Sequence, residues 1–339
     1  MILVEEGQSP LILCLPHSGT EIPNAVEKRL NATGRLQADL AWRLERVFDF
    51  HEELDATVLR SSISRYVIDL DKDPKTTLAE ASDPARALCP ATTLDGKRIY
   101  QEGEEPGPTE IEQRSLLFYT PFHKALRRQV DRLMRQHRKV IIVDCQSMRS
   151  HIKGVTDKGL PLVSIGTQNG TSCDPDLRNT LVGSFKGQQG YTVSVDEQTH
   201  GGFITKSFGK PERGLHAMTL LIAQRAYLRH ESPPFEPDKT RITRLRAVLT
   251  DSMSRLIDWT GMSGTSTVAT PSDEGAVPES GEAGPEATGD NTAPVQAGPD
   301  NQSANAEIIP VDPMTLPKVS SVQTGKVEDG PVTPLLVAE

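Results

Sequence analysis

The segment Pro16-His17-Ser18-Gly19-Thr20-Glu21-Ile22-Pro23 follows directly on the apolar run Leu11 to Leu15, and sets Glu21 four residues after His17. An imidazole and a carboxylate at that spacing suit metal ligation or proton abstraction. A single His at a strand end is, however, more often a hydrogen-bonded structural residue. Arg65, Asp69, Asp71 and Asp73 fall within nine residues before Pro74. Such a cluster suits recognition of a carboxylate, or a solvated turn. A third group runs Asp144-Cys145-Gln146-Ser147-Met148-Arg149-Ser150-His151. A fourth holds Gly166, Thr167, Gly170 and Ser172 and opens a helix at Asp174, an anion cradle. The last carries Glu197, His200, Gly201, Gly202 and Thr205. Each group is a modest signal alone. Five polar or glycine-rich turns, each after an expected strand, favour one ligand cleft.

The elements that would position these groups alternate. Strands are expected at Leu11 to Leu15, Arg65 to Leu70, Val140 to Asp144, Leu160 to Ile165, Tyr191 to Val195 and Ala217 to Ile222. Helical spacing of apolar residues marks Ala38 to Phe50, Leu116 to His137 and Thr240 to Trp259. Alternation of this kind predicts an α/β fold with a mostly parallel sheet covered by helices on both faces. Ligands then sit at the carboxyl ends of the strands. On that rule His17, Glu21, Arg65, Asp69, Gln146, Thr167 and His200 should share one crevice.

The composition divides the chain in two. After Trp259 there is no Phe, Tyr, Trp or Arg, and residues 261–339 carry twelve acidic residues against two lysines. That segment holds too little apolar surface to offset its ordering entropy, so a disordered acidic tail is expected after a domain over 1–260. Its apolar islands, Ile308 to Val311 and Leu335 to Val337, are candidate docking motifs for a protein partner, or part of a solvated tail. The net charge of -9 belongs to the tail. The near-neutral domain gives no reason to expect nucleic acid as a partner. No apolar run is long enough for a membrane span. Met1 to Glu6 lacks the basic start of a signal peptide. Cys14, Cys89, Cys145 and Cys173 form no CxxC pair and read as reduced core thiols of a cytoplasmic protein.

The ordered segments resemble the N-formylglutamate amidohydrolases. The resemblance spans about residues 10–230. It runs through Leu15 to Pro23, Ser64 to Leu70, Cys89 to Gly96, Tyr119 to His123, Ser147 to His151, Ser172 to Pro175, Gly201 to Thr205 and Gly214 to Ala217. It implies a zinc-exopeptidase-like three-layer fold and metal-assisted hydrolysis of N-formyl-L-glutamate to formate and glutamate. The implied ligand is a small acidic N-acyl amino acid, with Arg65, Asp69, Thr167, Ser172 and Thr205 on the substrate side. His17, Glu21, Asp39 and the position of Gln146 are the candidate zinc ligands. The family pattern has His where this chain carries Gln146, and Glu, as general base, where it carries Leu221. An amide oxygen is a poor zinc donor and Leu accepts no proton. Glu197 and His200 are the groups that would take over catalysis. The alternative is an impaired relative that keeps the fold to bind a small acidic ligand or a protein. For the tail, a chain ending near Gly261 should melt at the temperature of the full chain. A clear drop would show that the tail contributes to stability.

Overall fold

The computed structural model describes residues 2–76 and 83–262, so the expected tail lies outside the described residues except for Gly261 and Met262. Seven strands form one sheet: β1 (Ile2–Glu5), β2 (Leu11–Leu15), β3 (Thr57–Ser61), β4 (Val140–Met148), β5 (Val163–Gly166), β6 (Val193–Val195) and β7 (Leu215–Ala223). Their order is β1-β3-β2-β4-β7-β5-β6. The pairs β3–β2, β2–β4, β4–β7 and β5–β6 are parallel, whereas β1–β3 and β7–β5 are antiparallel. The helices are α1 (Asn24–Glu27), α2 (Ala32–Leu36), α3 (Pro108–Arg114), α4 (Thr120–Met134), α5 (Pro175–Lys186), α6 (Phe203–Phe208) and α7 (Lys239–Gly261).

Alternation along the central strands builds two cores. Leu11, Leu13 and Leu15 join Ile141, Val143, Met218 and Leu220 under α5 and α7, through Leu177, Leu181, Leu245 and Leu249. Ile12 and Cys14 point the other way, to Ile142 and Ala217 under α4, through Phe122, Leu126 and Val130. A strand buried on both faces has to be apolar throughout, which is why Leu-Ile-Leu-Cys-Leu is unbroken. Each such side chain contributes about 1.5–3 kcal/mol on burial. The fold is thus the expected three-layer α/β arrangement. All four cysteines are free and buried. Among the described residues no helix is long and apolar enough to cross a membrane.

Four expectations need correction. Arg65 to Leu70 is buried but forms turns, because Ser64 and Leu88 take up its backbone N–H groups. The strand there is β3, just before it. Ala38 to Phe50 is not one helix. Its apolar residues are buried, but Arg43 takes a left-handed conformation (φ 61°), and only Leu44–Arg46 makes a 3-10 turn. β4 continues to Met148, so Gln146 and Ser147 lie in the strand rather than after it. Finally, β5 runs against β7 and ends beside Thr219. The turn after β5 therefore starts in mid-sheet and not at the carboxyl edge shared by β2, β4 and β7.

Two histidines are shielded from water, His123 partly on α4 and His216 fully on β7. Burial, helped by Arg127, pulls His123 down to about 4, where its Nε2–H donates to Leu70 O. Burial likewise brings His216 to about 4, with its Nδ1 accepting from Asp174 N. The unfolded chain takes up these protons near pH 6.5, whereas the folded chain stays neutral until about pH 4. Lowering the pH through that window therefore favours unfolding. Urea midpoints should fall between pH 6.5 and 4, and His216→Gln should flatten the fall. A variant as pH-sensitive as the parent chain would contradict this.

Candidate active site

His17 follows the end of β2, and its ring is fixed from one side. Nε2 lies 2.7 Å from Asp69 Oδ1, and Arg65 Nη2 donates to Asp69 Oδ2 at 2.8 Å. Burial alone would raise the Asp69 carboxyl, but its partners His17 and Arg65 outweigh it and hold the group well below the usual range. Asp69 is therefore an acceptor, and Nε2 carries the hydrogen. Among the described residues no group hydrogen-bonds Nδ1, which leaves that nitrogen for a ligand.

A second chain of contacts crosses the sheet from the same turn. Asp71 N donates to Asp69 Oδ1. Gln146 Nε2 donates to Asp71 Oδ2 at 2.7 Å and to Asp144 Oδ2 at 2.6 Å. Thr219 Oγ1 also donates to Asp144 Oδ2, and Thr219 shares a hydrogen bond with Thr205. Asp71 Oδ1 accepts from Ile204 N, and Asp71 O from Phe203 N, at the start of α6. Burial raises both carboxyls, and the neighbouring Asp71 adds to the rise of Asp144. Among the described residues Asp144 Oδ1 is buried without a partner. The strand register explains the alignment: Asp144 pairs with Thr219, and Gln146 with Leu221.

The other candidates divide into engaged and peripheral groups. Asp39 is fully used, accepting from Tyr66 Oη, Leu94 N and Arg149 Nη2, each at 2.8 Å. Thr167 donates to Asp196, and Ser172 Oγ to Ala217 O. Glu21 is exposed and accepts from Ser62 Oγ. Glu197 and His200 are exposed, and His200 meets the site's surroundings only through its carbonyl, which accepts from Gln168 N. Thus His17, Arg65, Asp69 and Gln146 come together, while Thr167 and His200 reach them only by way of Gly201 and Gly202. Asp71 and Asp144 stood in turns singled out from the sequence but, like Thr219, were not among the residues expected to share the crevice. The available signal was an Asp closing the apolar run Val140 to Val143, since a carboxyl there has to be buried beside its neighbours.

These residues do not fit a three-ligand zinc site. Among the described residues no cluster of three His, Cys, Asp or Glu is arranged to hold a metal. His17 has the carboxylate-backed geometry of a ligand. Asp39, however, is consumed by three donors, and Gln146 turns its donor nitrogen, not an acceptor, toward the acids. Leu221, paired with Gln146 on one side and Ser164 on the other, supplies no donor atom.

A Cβ on Gly202 would lie 1.7 Å from Asp71 Oδ2. Gly202→Ala should therefore push Asp71 away from Gln146 and destabilise the chain by about 1–3 kcal/mol. Exposed Gly183 in α5, where a Cβ meets nothing within 4 Å, should gain up to about 1 kcal/mol on the same change. Equal unfolding midpoints for the two variants would contradict the contact.

The sequence pattern of the N-formylglutamate amidohydrolase family matches residues 9–228. The chain is 33% identical over 256 residues to N-formylglutamate deformylase from Pseudomonas aeruginosa, covering 75% of this chain and 95% of that one. It is 34% identical, over the same length, to the enzyme of that name from Pseudomonas putida, covering 94% of it. The crystal structure of N-formylglutamate amidohydrolase from Ralstonia eutropha JMP134 shares the fold, with a TM-score of 0.64 at 21% identity over 77% of this chain and 98% of that one. From its sequence the chain belongs to the N-formylglutamate amidohydrolase family.

Proposed function

We propose that this chain binds N-formyl-L-glutamate, or a closely similar acidic N-acyl amino acid, and hydrolyses its amide to formate and glutamate, as a cytoplasmic step of histidine degradation. The observation that carries the reading is the extent of the likeness to the deformylases, which runs through every strand and turn that supplies the site. Hydrolysis breaks the formyl C–N bond, adds water's oxygen to carbon and returns a proton to nitrogen. His17, with Nε2 held by Asp69, offers Nδ1 as the acceptor of the water proton, a role worth about 10²–10⁴-fold. Ser18, Gly19 and Thr20, next in the chain, line a cleft of about 190 Å³ with Arg43, Arg60 and Ser62. The two guanidinium groups suit the carboxylates of the ligand. Glu21 and Glu45 share that lining, so the cleft discriminates by position rather than by uniform charge. Zinc is the family's cofactor by resemblance, but the donor set here does not suit it, and no step above uses it.

A second reading is raised by the sequence alone. Gln146 and Leu221, side by side on β4 and β7, can neither accept a proton nor bind zinc well. The chain would then hold the ligand without turning it over. Formate release from N-formyl-L-glutamate, measured beside calorimetric binding, separates the two. The first reading expects turnover of about 1–10³ per second, and a loss of about 10²-fold or more in formate release from folded His17→Asn, with ligand binding retained. Saturable binding without formate would establish the second. No binding at all would overturn both.

A further inference from the structure

We propose that Gln146 stands in for a cation: its side-chain amide ties two buried carboxyl groups together, and the site is assembled without a metal. The geometry that carries this is direct. One amide nitrogen reaches Asp71 at 2.7 Å and Asp144 at 2.6 Å, so both of its N–H bonds are spent. Those are hydrogen-bond lengths. Ligands that share a tetrahedral zinc, each about 2.0–2.2 Å from the ion, stand roughly 3.3 Å or more apart. Asp71 cannot retreat to make that room. Ile204 N and Phe203 N grip it from one side, and the backbone of Gly202 lies against its carboxyl. Asp144 is equally fixed, itself fully buried on β4 and held by Thr219.

Two carboxyl groups this close, both out of water, repel when ionised and need donors even when not. A metal ion, the first remedy, would draw on nearby donors. The second is an amide whose two hydrogens point outward, and Gln146 supplies it. On β7 the residue beside Gln146 is Leu221, so no ligand atom stands at that position. His17, the imidazole with a ring nitrogen to offer, is left as a base rather than as one corner of a metal site. The inference concerns how the site is held together and stands whether or not the substrate is the one proposed above.

The test begins with the unaltered full chain. Protein purified from zinc-supplemented medium should contain well under one equivalent of any transition metal by mass spectrometry. Its melting temperature should not move with EDTA or with equimolar zinc. Gln146→Leu, which keeps the bulk and removes the amide, should melt about 4–10 °C lower, and zinc should not restore it. Stoichiometric metal in the unaltered protein, a fall in its melting temperature with EDTA, or a Gln146→Leu variant as stable as the parent would each overturn the proposal. The metal and EDTA arms need no variant, so they remain decisive if Gln146→Leu fails to fold. A failed formate assay would leave these readouts untouched, so the two claims fall separately.

Discussion

Four carboxyl groups lie almost wholly out of water around the end of β2: Asp39, Asp69, Asp71 and Asp144, exposed by 5%, 1%, 6% and 0%. A buried acid without donors is among the most costly features a fold can carry. Much of the architecture around the crevice supplies those donors. Arg65 and His17 serve Asp69. Tyr66, Leu94 and Arg149 serve Asp39. Gln146, Thr219 and the Ile204 amide of α6 serve the remaining pair.

That demand accounts for local features which otherwise look arbitrary. The segment after β3 folds into turns because a strand would have carried Asp69 away from His17 and Arg65. Gly202 has no side chain because Asp71 occupies the space. β4 and β7 run parallel through nine paired positions, which brings Asp144 level with Thr219 and leaves Gln146 beside Leu221. The chemistry open to the site follows from the same arrangement. Asp69 stays ionised and fixes one nitrogen of His17, so proton transfer falls to the other.

Much of this was legible in the residues. The unbroken run Leu11 to Leu15 announced a strand covered on both faces, and the spacing in Leu116 to His137 announced α4. His17, Arg65 and Asp69 were expected together, and they meet. What stayed hidden depended on direction and on contact. Nothing in Val163 to Gly166 says that it runs against β7, because an apolar strand reads the same either way. That reversal moves Thr167 and Ser172 into the packing of the fold. Arg43 could not be seen to break a helix, because its left-handed backbone comes from the surrounding turn and not from its own preference. Asp39 read as a possible ligand because the three donors that consume it are distant in sequence. Asp71 and Asp144 matter through a partner seventy-five residues from one and two from the other, a relation that only the folded register provides.

The account rests on the bond between Asp71 and Gln146. A double-mutant cycle on the full chain, using Asp71→Ala, Gln146→Ala and the pair, measures it directly by urea unfolding. The account predicts that the two changes are not additive, with a coupling of about 0.5–3 kcal/mol, as for groups in one buried network. Additivity to within a few tenths of a kcal/mol would contradict it.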